Sequence, residues 1–429
     1  MKLKAKSVKF EKVKTNLRNG GFMFIPVSAN LIRLAKIFPT DLFVVGGYVR
    51  NSIMGIKGGD IDLASDVDVD EITDILKANG YKVKVKNSMY NSITIQKGAE
   101  SYEFTSFRKD YYGENGKHCP VRVERTSNIA EDAKRRDFTI NAIYYNIAKD
   151  EIVDFYQGVV DAKERILRCI GSPEEVLKND GERILRMVRL VGELNLKIEK
   201  KTLKSAFLMG KNIADLSPSR RYGELEKIVY CDMRYKEIKG DNTNALKLLN
   251  KLSVWQYFGL PIKKVKYKMV KRADDRMLGL LIDIVDTVKP ECLETFLVEF
   301  LKNCGFSQGK AQKIFVYIAG YYSALEKMKN KEYFFRYFDD VNVIFPLLSK
   351  KSKHLTSKYM FFYKYIIRYG LTIRTSDLKV GREDIAKNFP KIDERSYDRI
   401  LNDLLSKVFD GKLPNEREAL LAEIDNWNF

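Results

Sequence analysis

Histidine is almost missing from this 429-residue chain: His118 and His354 are the only two. That excludes an all-histidine metal centre and leaves little for a histidine-based hydrolase. The five cysteines, Cys119, Cys169, Cys231, Cys292 and Cys304, are scattered without a close pair. Neither a zinc site nor a disulfide framework is indicated, and they read as reduced thiols. Any catalytic metal is therefore expected on carboxylates. No window approaches the roughly 20 apolar residues of a membrane span. The lysine-rich start, MKLKAKSVKFEKVKTNLRNGGFMF, lacks the apolar core and small-residue cleavage site of a secretory signal. A cytoplasmic location is expected, with no membrane association and no protein partner implied. There is no internal repeat and no low-complexity segment, although the N-terminal arm is expected to be mobile.

Acidic charge is in deficit as well. Lys and Arg number 76 against 57 Asp and Glu, a formal net charge of +19. A polyanionic partner is implied, and an excess of this size favours nucleic acid over a merely solvated basic surface. The hydrophobic share of 45% and charged share of 31% describe a globular chain. Its length exceeds what one core organises, so several domains are expected.

Residues 40–145 alternate β-rich runs (DLFVVGG, DIDLAS, YKVKVK, SITIQ, YEFTSF) with helical stretches (ANLIRLAKIF, VDEITDILKANG). From about 160 onward apolar residues recur at helical spacing, as in GERILRMVRLVGEL, NALKLLNKL, MLGLLIDIVDTV and YDRILNDLLSKVF, and strands are not expected. The predicted fold is α+β: a mixed α/β head over 1–150, then all-α segments over 151–235, 236–335 and 336–429. Turn-rich or charged breaks at SPSRR (217–221), KGDNTN (239–244) and NKEYFFRYFDD (330–340) guide those boundaries.

The stretch FVVGGYVRNSIMGIKGGDIDLAS carries the first chemistry. If Asp60 and Asp62 lie on one strand, they project to the same face while Ile61 enters the core. Two adjacent carboxylates repel unless a cation sits between them, and oxygen-only ligands suit Mg²⁺. Taken alone, D-x-D is equally the signature of a solvated turn. Gly46 and Gly47 let backbone N–H groups approach a triphosphate without a Cβ clash, and Arg50 one turn later adds a charge-assisted contact. The same pair also suits an ordinary tight turn.

In RRDFTINAI, Arg135 and Arg136 offer cationic forks, and Asp137 either accepts hydrogen bonds from ribose hydroxyls or N-caps a helix. In NDGERILRMVRL, Asp180, Arg183, Arg186 and Arg189 recur every three residues, which on a helix gives one polar ridge beside Ile184, Leu185, Val188 and Leu190. That ridge is either a solvated basic face or a binding surface. Glu103, on YEFTSF, is a third candidate carboxylate or an exposed strand residue, and Arg108 follows that strand. KDYYGENGKHCPVRVERT (109–126) reads as a mobile polar loop. Two basic stretches interleave aromatics, IKKVKYKMVKR (262–272) and KKSKHLTSKYMFFYKYIIRYG (350–370). Lys263, Lys264, Lys266, Lys350, Lys351 and Lys353 are candidates for RNA phosphate contact. For the aromatics, burial in helix packing is the expectation.

GGYVRN followed by DIDLAS resembles the first signature of the class II transfer-RNA nucleotidyltransferases, the CCA-adding enzymes and their bacterial poly(A) polymerase relatives. The resemblance continues in order through YEFTSFR (102–108), AKRRDFTINAIYYN (133–146), IVDFYQGVVDAKERILRCIG (152–171), NDGERILRMVRL (179–190), LKVGREDIAKNF (378–389) and DGKLPNEREALL (410–421). It implies a polymerase-β-like head followed by helical neck, body and tail, with the neck carrying the nucleotide-base template and the body and tail binding RNA. It implies addition of C, C and A to the tRNA 3′ end from CTP and ATP, with two Mg²⁺ ions on Asp60 and Asp62 and Glu103 beside them. Gly46, Gly47, Arg50, Arg108, Arg136, Asp137, Arg186 and Arg189 would surround the nucleotide, with Arg136 and Asp137 at its sugar and phosphates. Asp180 and Arg183 stand where an E-D-x-x-R motif reads the base, a carboxylate accepting from the exocyclic amine that C and A share and a guanidinium donating to ring acceptors. The polar loop stands where CCA-adding enzymes carry one linked to A addition. Two positions depart from the pattern: Asn51 replaces an Asp, and Asn179 replaces the Glu before the template Asp.

Alternatives of the same class are a bacterial poly(A) polymerase, whose relatives carry a G-R-R-F-like stretch where this chain has VKNSMYNSITIQ, and an A-adding-only enzyme. A non-catalytic RNA-binding protein would not need the acidic residues.

Overall fold

In chain order the strands of the N-terminal part are β1 (Phe43–Val45), β2 (Asp62–Ser65), β3 (Lys82–Asn87), β4 (Ser92–Lys97), β5 (Glu100–Ser106), β6 (Arg108–Tyr111), β7 (Arg122–Arg125), β8 (Ile143–Asn146) and β9 (Glu151–Asp154). The computed structural model describes residues 25–87, 90–113, 119–288, 293–303, 305 and 338–426. The lysine-rich arm before residue 25 and the break at 330–337 lie outside them.

A seven-stranded sheet runs in the order β3, β4, β5, β2, β1, β8, β9. Every pairing is antiparallel except β2 with β5, where Asp62 stands beside Glu103 in register. Both faces are covered. Val44 joins Leu63, Ile93, Ile95 and Phe104 in one core. Phe43 and Val45 join Ala64, Phe107 and Tyr144 in another. Side chains alternate across a strand, so a strand buried on both sides must be apolar throughout, and FVV is. Each fully buried Phe or Leu contributes about 1.5–3 kcal/mol.

The flanking helices form where the caps place them. In α1 (Ala29–Ala35) the Ser28 hydroxyl accepts from Leu31 N–H, and Leu31 and Leu34 turn into the first core. α2 (Gly47–Ile53) begins directly at the end of β1. α3 (Val69–Ala78) is capped by Asp68 and buries Ile72 and Leu76.

The remaining helices of the first part of the chain include α4 (Ile129–Lys134), α5 (Gly158–Glu164), α6 (Pro173–Asn179), α7 (Glu182–Leu194), α8 (Lys200–Met209), α9 (Pro218–Val229) and α10 (Asn242–Lys251). α7 packs on α9 and α10. Gly192 permits it, because a Cβ there would collide with Cys231 and Ala245. The described residues to Lys264, with 303–305, form one contact unit; those from Val265 form a second. In the second unit, helices Tyr397–Phe409 and Arg417–Asp425 bury Ile400, Leu404, Leu420 and Ile424 in a core with Val380 and Ile385.

The expected α+β architecture is present, with three corrections. The polar loop at 109–126 is largely a hairpin, since β6 and β7 pair antiparallel from Arg108 with Arg125 to Tyr111 with Arg122. Cross-strand polar contacts, Tyr111 Oη donating to Glu124 at 3.0 Å and Arg122 over the Tyr111 ring, hold it without an apolar face. Residues 114–118 lie outside the description. Strands also occur beyond residue 160, in a two-residue parallel pair of Ile166–Leu167 with Lys197–Ile198. Asp180 is not on the polar helix: it sits in extended backbone between α6 and α7. No helix among the described residues is long and apolar enough to cross a membrane.

Candidate active site

At the end of β1 the chain turns through Gly46, whose φ of 77° favours glycine, into α2. A Cβ on Gly46 would lie 3.7 Å from Asp62 Oδ2 and 3.8 Å from Arg136 Nη1, so the metal-type carboxylate and a guanidinium meet over this turn. Asp62 opens β2, while Asp60 precedes the strand and is exposed. Sequence reasoning placed both on the strand; the Gly58-Gly59 turn, with φ of 74° and 125°, delays it to Asp62.

Arg50 is buried in α2, where it donates through Nη1 to Asn141 Oδ1 at 2.7 Å and through Nε and Nη2 to Asn51 Oδ1 at 3.1 and 2.9 Å. Its direct partners are thus neutral amides, and burial pulls its pKa downward. Asn51, which departs from the family pattern, supplies one of them.

A carboxylate-centred network braces the next arginines. Asp132 accepts from Arg135 Nε at 2.8 Å, Arg136 Nη2 at 3.1 Å and Tyr144 Oη at 2.5 Å. Burial would raise the Asp132 carboxyl, but Arg135 and Arg136 outweigh it and hold it well below the usual carboxylate range. Arg108 joins through its own N–H to Asp132 and through Nε to Asp110 at 2.9 Å.

Asp137 accepts from Phe138 N–H at 2.8 Å and Asn141 Nδ2 at 3.0 Å on one oxygen and from Arg186 Nε at 3.0 Å on the other, where Arg186 Nη2 also forms an ion-pair contact at 2.9 Å. Burial acts to raise this carboxyl as well, yet Arg186 and the Asn141 amide bring it down to about 2. Arg189 is bound by Glu224 and Glu193 at 2.8 and 3.1 Å.

Arg183 donates to the carbonyl of Val176 at 3.2 Å, the carbonyl of Arg135 at 2.9 Å and the Tyr112 hydroxyl at 3.2 Å. Asp180 caps the turn into α7 by accepting from Glu182 N–H at 3.0 Å, and Arg220 Nη2 approaches its carboxylate at 3.7 Å.

These residues line one cleft of about 930 Å³. It contains Gly46, Gly47, Arg50, Asp60, Asp62, Arg108, Arg136, Asp137, Asp180, Arg183, Arg186 and Arg189. Glu103 is not among its lining residues; it stands exposed on β5, beside Asp62 across the parallel ladder and on the same sheet face. Among the described residues no three His, Cys, Asp or Glu side chains gather into a metal cage. The donors offered are a carboxylate pair on an open cleft, which fits an Mg²⁺ that keeps waters and takes further ligands from substrate phosphates.

Residues 42–168 match the Poly A polymerase head domain. Over 187 residues the chain is 35% identical to the CCA-adding enzyme of Oceanobacillus iheyensis, covering 43% of this chain and 45% of that enzyme. Over 401 residues it is 25% identical to the CCA-adding enzyme of Lactococcus lactis subsp. cremoris, covering 90% and 92%. The head-domain match is thus local, while the similarity to a CCA-adding enzyme runs along 90% of the chain. Its fold is that of a Bacillus stearothermophilus CCA-adding enzyme solved in complex with CTP, with a TM-score of 0.62 at 20% identity, covering 92% of this chain and 95% of that one.

Sequence reasoning missed Tyr112, Asn141, Arg234 and Tyr235, all of which line the cleft. Arg220 was noted only as part of a helix break, although it also pairs with Glu182. Arg234 approaches Asp60 Oδ2 at 3.7 Å. Asn141 lies inside the RRDFTINAI motif, where only the charged residues were singled out, whereas Tyr112, Arg234 and Tyr235 lie in no strongly patterned stretch and only the fold brings them inward. Of the lysines, Lys263, Lys264, Lys266 and Lys353 are exposed. Lys350 and Lys351 are engaged by Asp274 and Asp286 at 2.6 and 2.5 Å. The aromatic expectation holds in part: Tyr359 is buried, whereas Phe361, Tyr365 and Tyr369 are exposed.

Proposed function

We propose that the chain adds C, C and A to the 3′ end of tRNA from CTP and ATP, releasing pyrophosphate, without a nucleic-acid template. The observation that carries this reading is the single cleft that collects Asp60 and Asp62, the Gly46 turn with Arg50, and Asp180 with Arg183. Asp60 and Asp62 would hold two Mg²⁺ ions, with Glu103 beside them. When bound, the ions supply a lowered pKa at the RNA 3′-hydroxyl and neutralisation of charge on the triphosphate.

The chain's own groups do the positioning. Backbone N–H groups at Gly46 and Gly47 approach the phosphates, and Arg50 and Arg136 add cationic donors. Asp137 has each oxygen already engaged twice, so a ribose hydroxyl would reach it by displacing an Arg186 N–H. Asp180 and Arg183 would read the shared amine face of C and A. Exposed Lys263, Lys264, Lys266 and Lys353 would contact tRNA phosphates.

Purified protein incubated with tRNA lacking CCA, plus CTP and ATP singly and together, tests this. Two C residues with CTP alone and CCA with both are expected. A homopolymeric A tail would make it a poly(A) polymerase, and A addition only to tRNA ending in CC an A-adding enzyme. Tight tRNA binding without incorporation under any divalent metal would reject catalysis.

A further inference from the structure

Arg183 is buried, and among the described residues its three guanidinium hydrogen bonds all go to neutral oxygens: two backbone carbonyls and the Tyr112 hydroxyl. Asn179, where the family pattern has an acid, makes no hydrogen bond to it among those residues. A guanidinium has five N–H donors in a fixed plane. With three committed, the remaining two directions follow from where those three acceptors sit.

The two carbonyls belong to backbone held by α4 and α6 and cannot be tuned separately from the fold. Tyr112 is the one side chain of the three. It follows β6, its ring lies 5.8 Å from the guanidinium carbon of Arg183, and it lines both the nucleotide cleft and a second cavity of about 570 Å³ behind it. Arg183 lines both cavities too. The phenol therefore forms part of the wall against which Arg183 is held, and its hydroxyl fixes one N–H of the fork.

We propose that Tyr112 is a specificity-determining positioning residue, orienting Arg183 toward the incoming base in place of the missing neighbouring acid. This rests on the reading of Asp180 and Arg183 as the base-reading pair. Phenylalanine keeps the ring and the wall but removes the acceptor. The guanidinium then retains two restraints and turns within its plane, so wrong bases are rejected less well while phosphate binding is left in place.

The test compares wild type, Tyr112→Phe and Arg183→Ala for incorporation of CTP and UTP onto tRNA lacking CCA, and for equilibrium CTP and UTP affinity by calorimetry. Thermal unfolding confirms that each variant is folded. Loss of one hydrogen bond to a charged group predicts a rise of about tenfold or more in the UTP-to-CTP ratio for Tyr112→Phe, roughly the factor that one such bond carries. A purely structural tyrosine would lower both nucleotides together and leave the ratio unmoved. If Arg183→Ala loses discrimination and Tyr112→Phe stays within twofold of wild type, the role of Tyr112 is overturned and the base-reading pair stands. If Arg183→Ala discriminates normally, the base-reading assignment itself fails and this inference falls with it.

Discussion

Replacing Arg186 by Met isolates one buried charge interaction and gives it a pH signature. Arg186 contacts a single oxygen of Asp137 through two nitrogens, at 3.0 and 2.9 Å, and the Asp137 side chain is 9% exposed against 39% for Arg186. Removing one partner of a fully buried pair costs about 3–5 kcal/mol, and of an exposed pair about 1 or less. The carboxylate here is buried and keeps Asn141 and Phe138 as donors, while the guanidinium is partly screened by solvent, so the expected loss is about 2 kcal/mol at pH 7.

The sign follows from linkage. The folded carboxyl titrates at about 2, below an ordinary unfolded value of about 3.9. Its contribution is therefore fully present above about pH 4, about half gone by pH 3, and lost as pH falls through the folded value. The wild-type and Arg186→Met stabilities should diverge at neutral pH and converge in acid. Urea unfolding at pH 7, 5 and 3, followed by the fluorescence of buried Trp255 in a Trp427→Phe background, reads the first unit selectively. A difference that is the same at pH 7 and pH 3 would refute the charge argument, leaving only lost packing of the arginine stem.

Asp62→Ala should lower nucleotide transfer by about a hundredfold or more with an unchanged thermal midpoint, and substantial Mg²⁺-dependent transfer by the folded variant would remove Asp62 from the reaction. Gly192→Ala should destabilise the first unit by about 1–3 kcal/mol, because Cys231 and Ala245 occupy the space; a neutral result in urea titration would mean that α7 can shift away. Lys263→Gln with Lys264→Gln should weaken tRNA binding and reduce the slope of log affinity against log salt by about 2, and an unaltered slope would place those lysines off the RNA.

The elements with strong patterns were legible in the sequence: β1 by its unbroken apolar run, β4 and β5 by their apolar alternation, and α3 and α7 by their helical stripe. The residues of the cleft were legible wherever a motif placed polar groups at fixed spacing. Asp60 and Asp62 are an instructive failure in detail. The period of two put both on a strand, but two left-handed glycines before Asp60 hold it off the sheet. The β6 and β7 hairpin was unreadable for a different reason: its strands are polar on both faces, so no alternation betrays them. Tyr112, Arg234 and Tyr235 were invisible because their importance comes from long-range packing and not from any local pattern.

Arg50 has a consequence for the empty protein. A buried cation whose direct neighbours are amide oxygens sits in an electrostatic field that a triphosphate would satisfy better than anything in the fold does. On the proposed reading, a bound triphosphate would act as a conditional staple tying β1, α2 and the Asn141 turn together, and would add its binding free energy to the stability of the head.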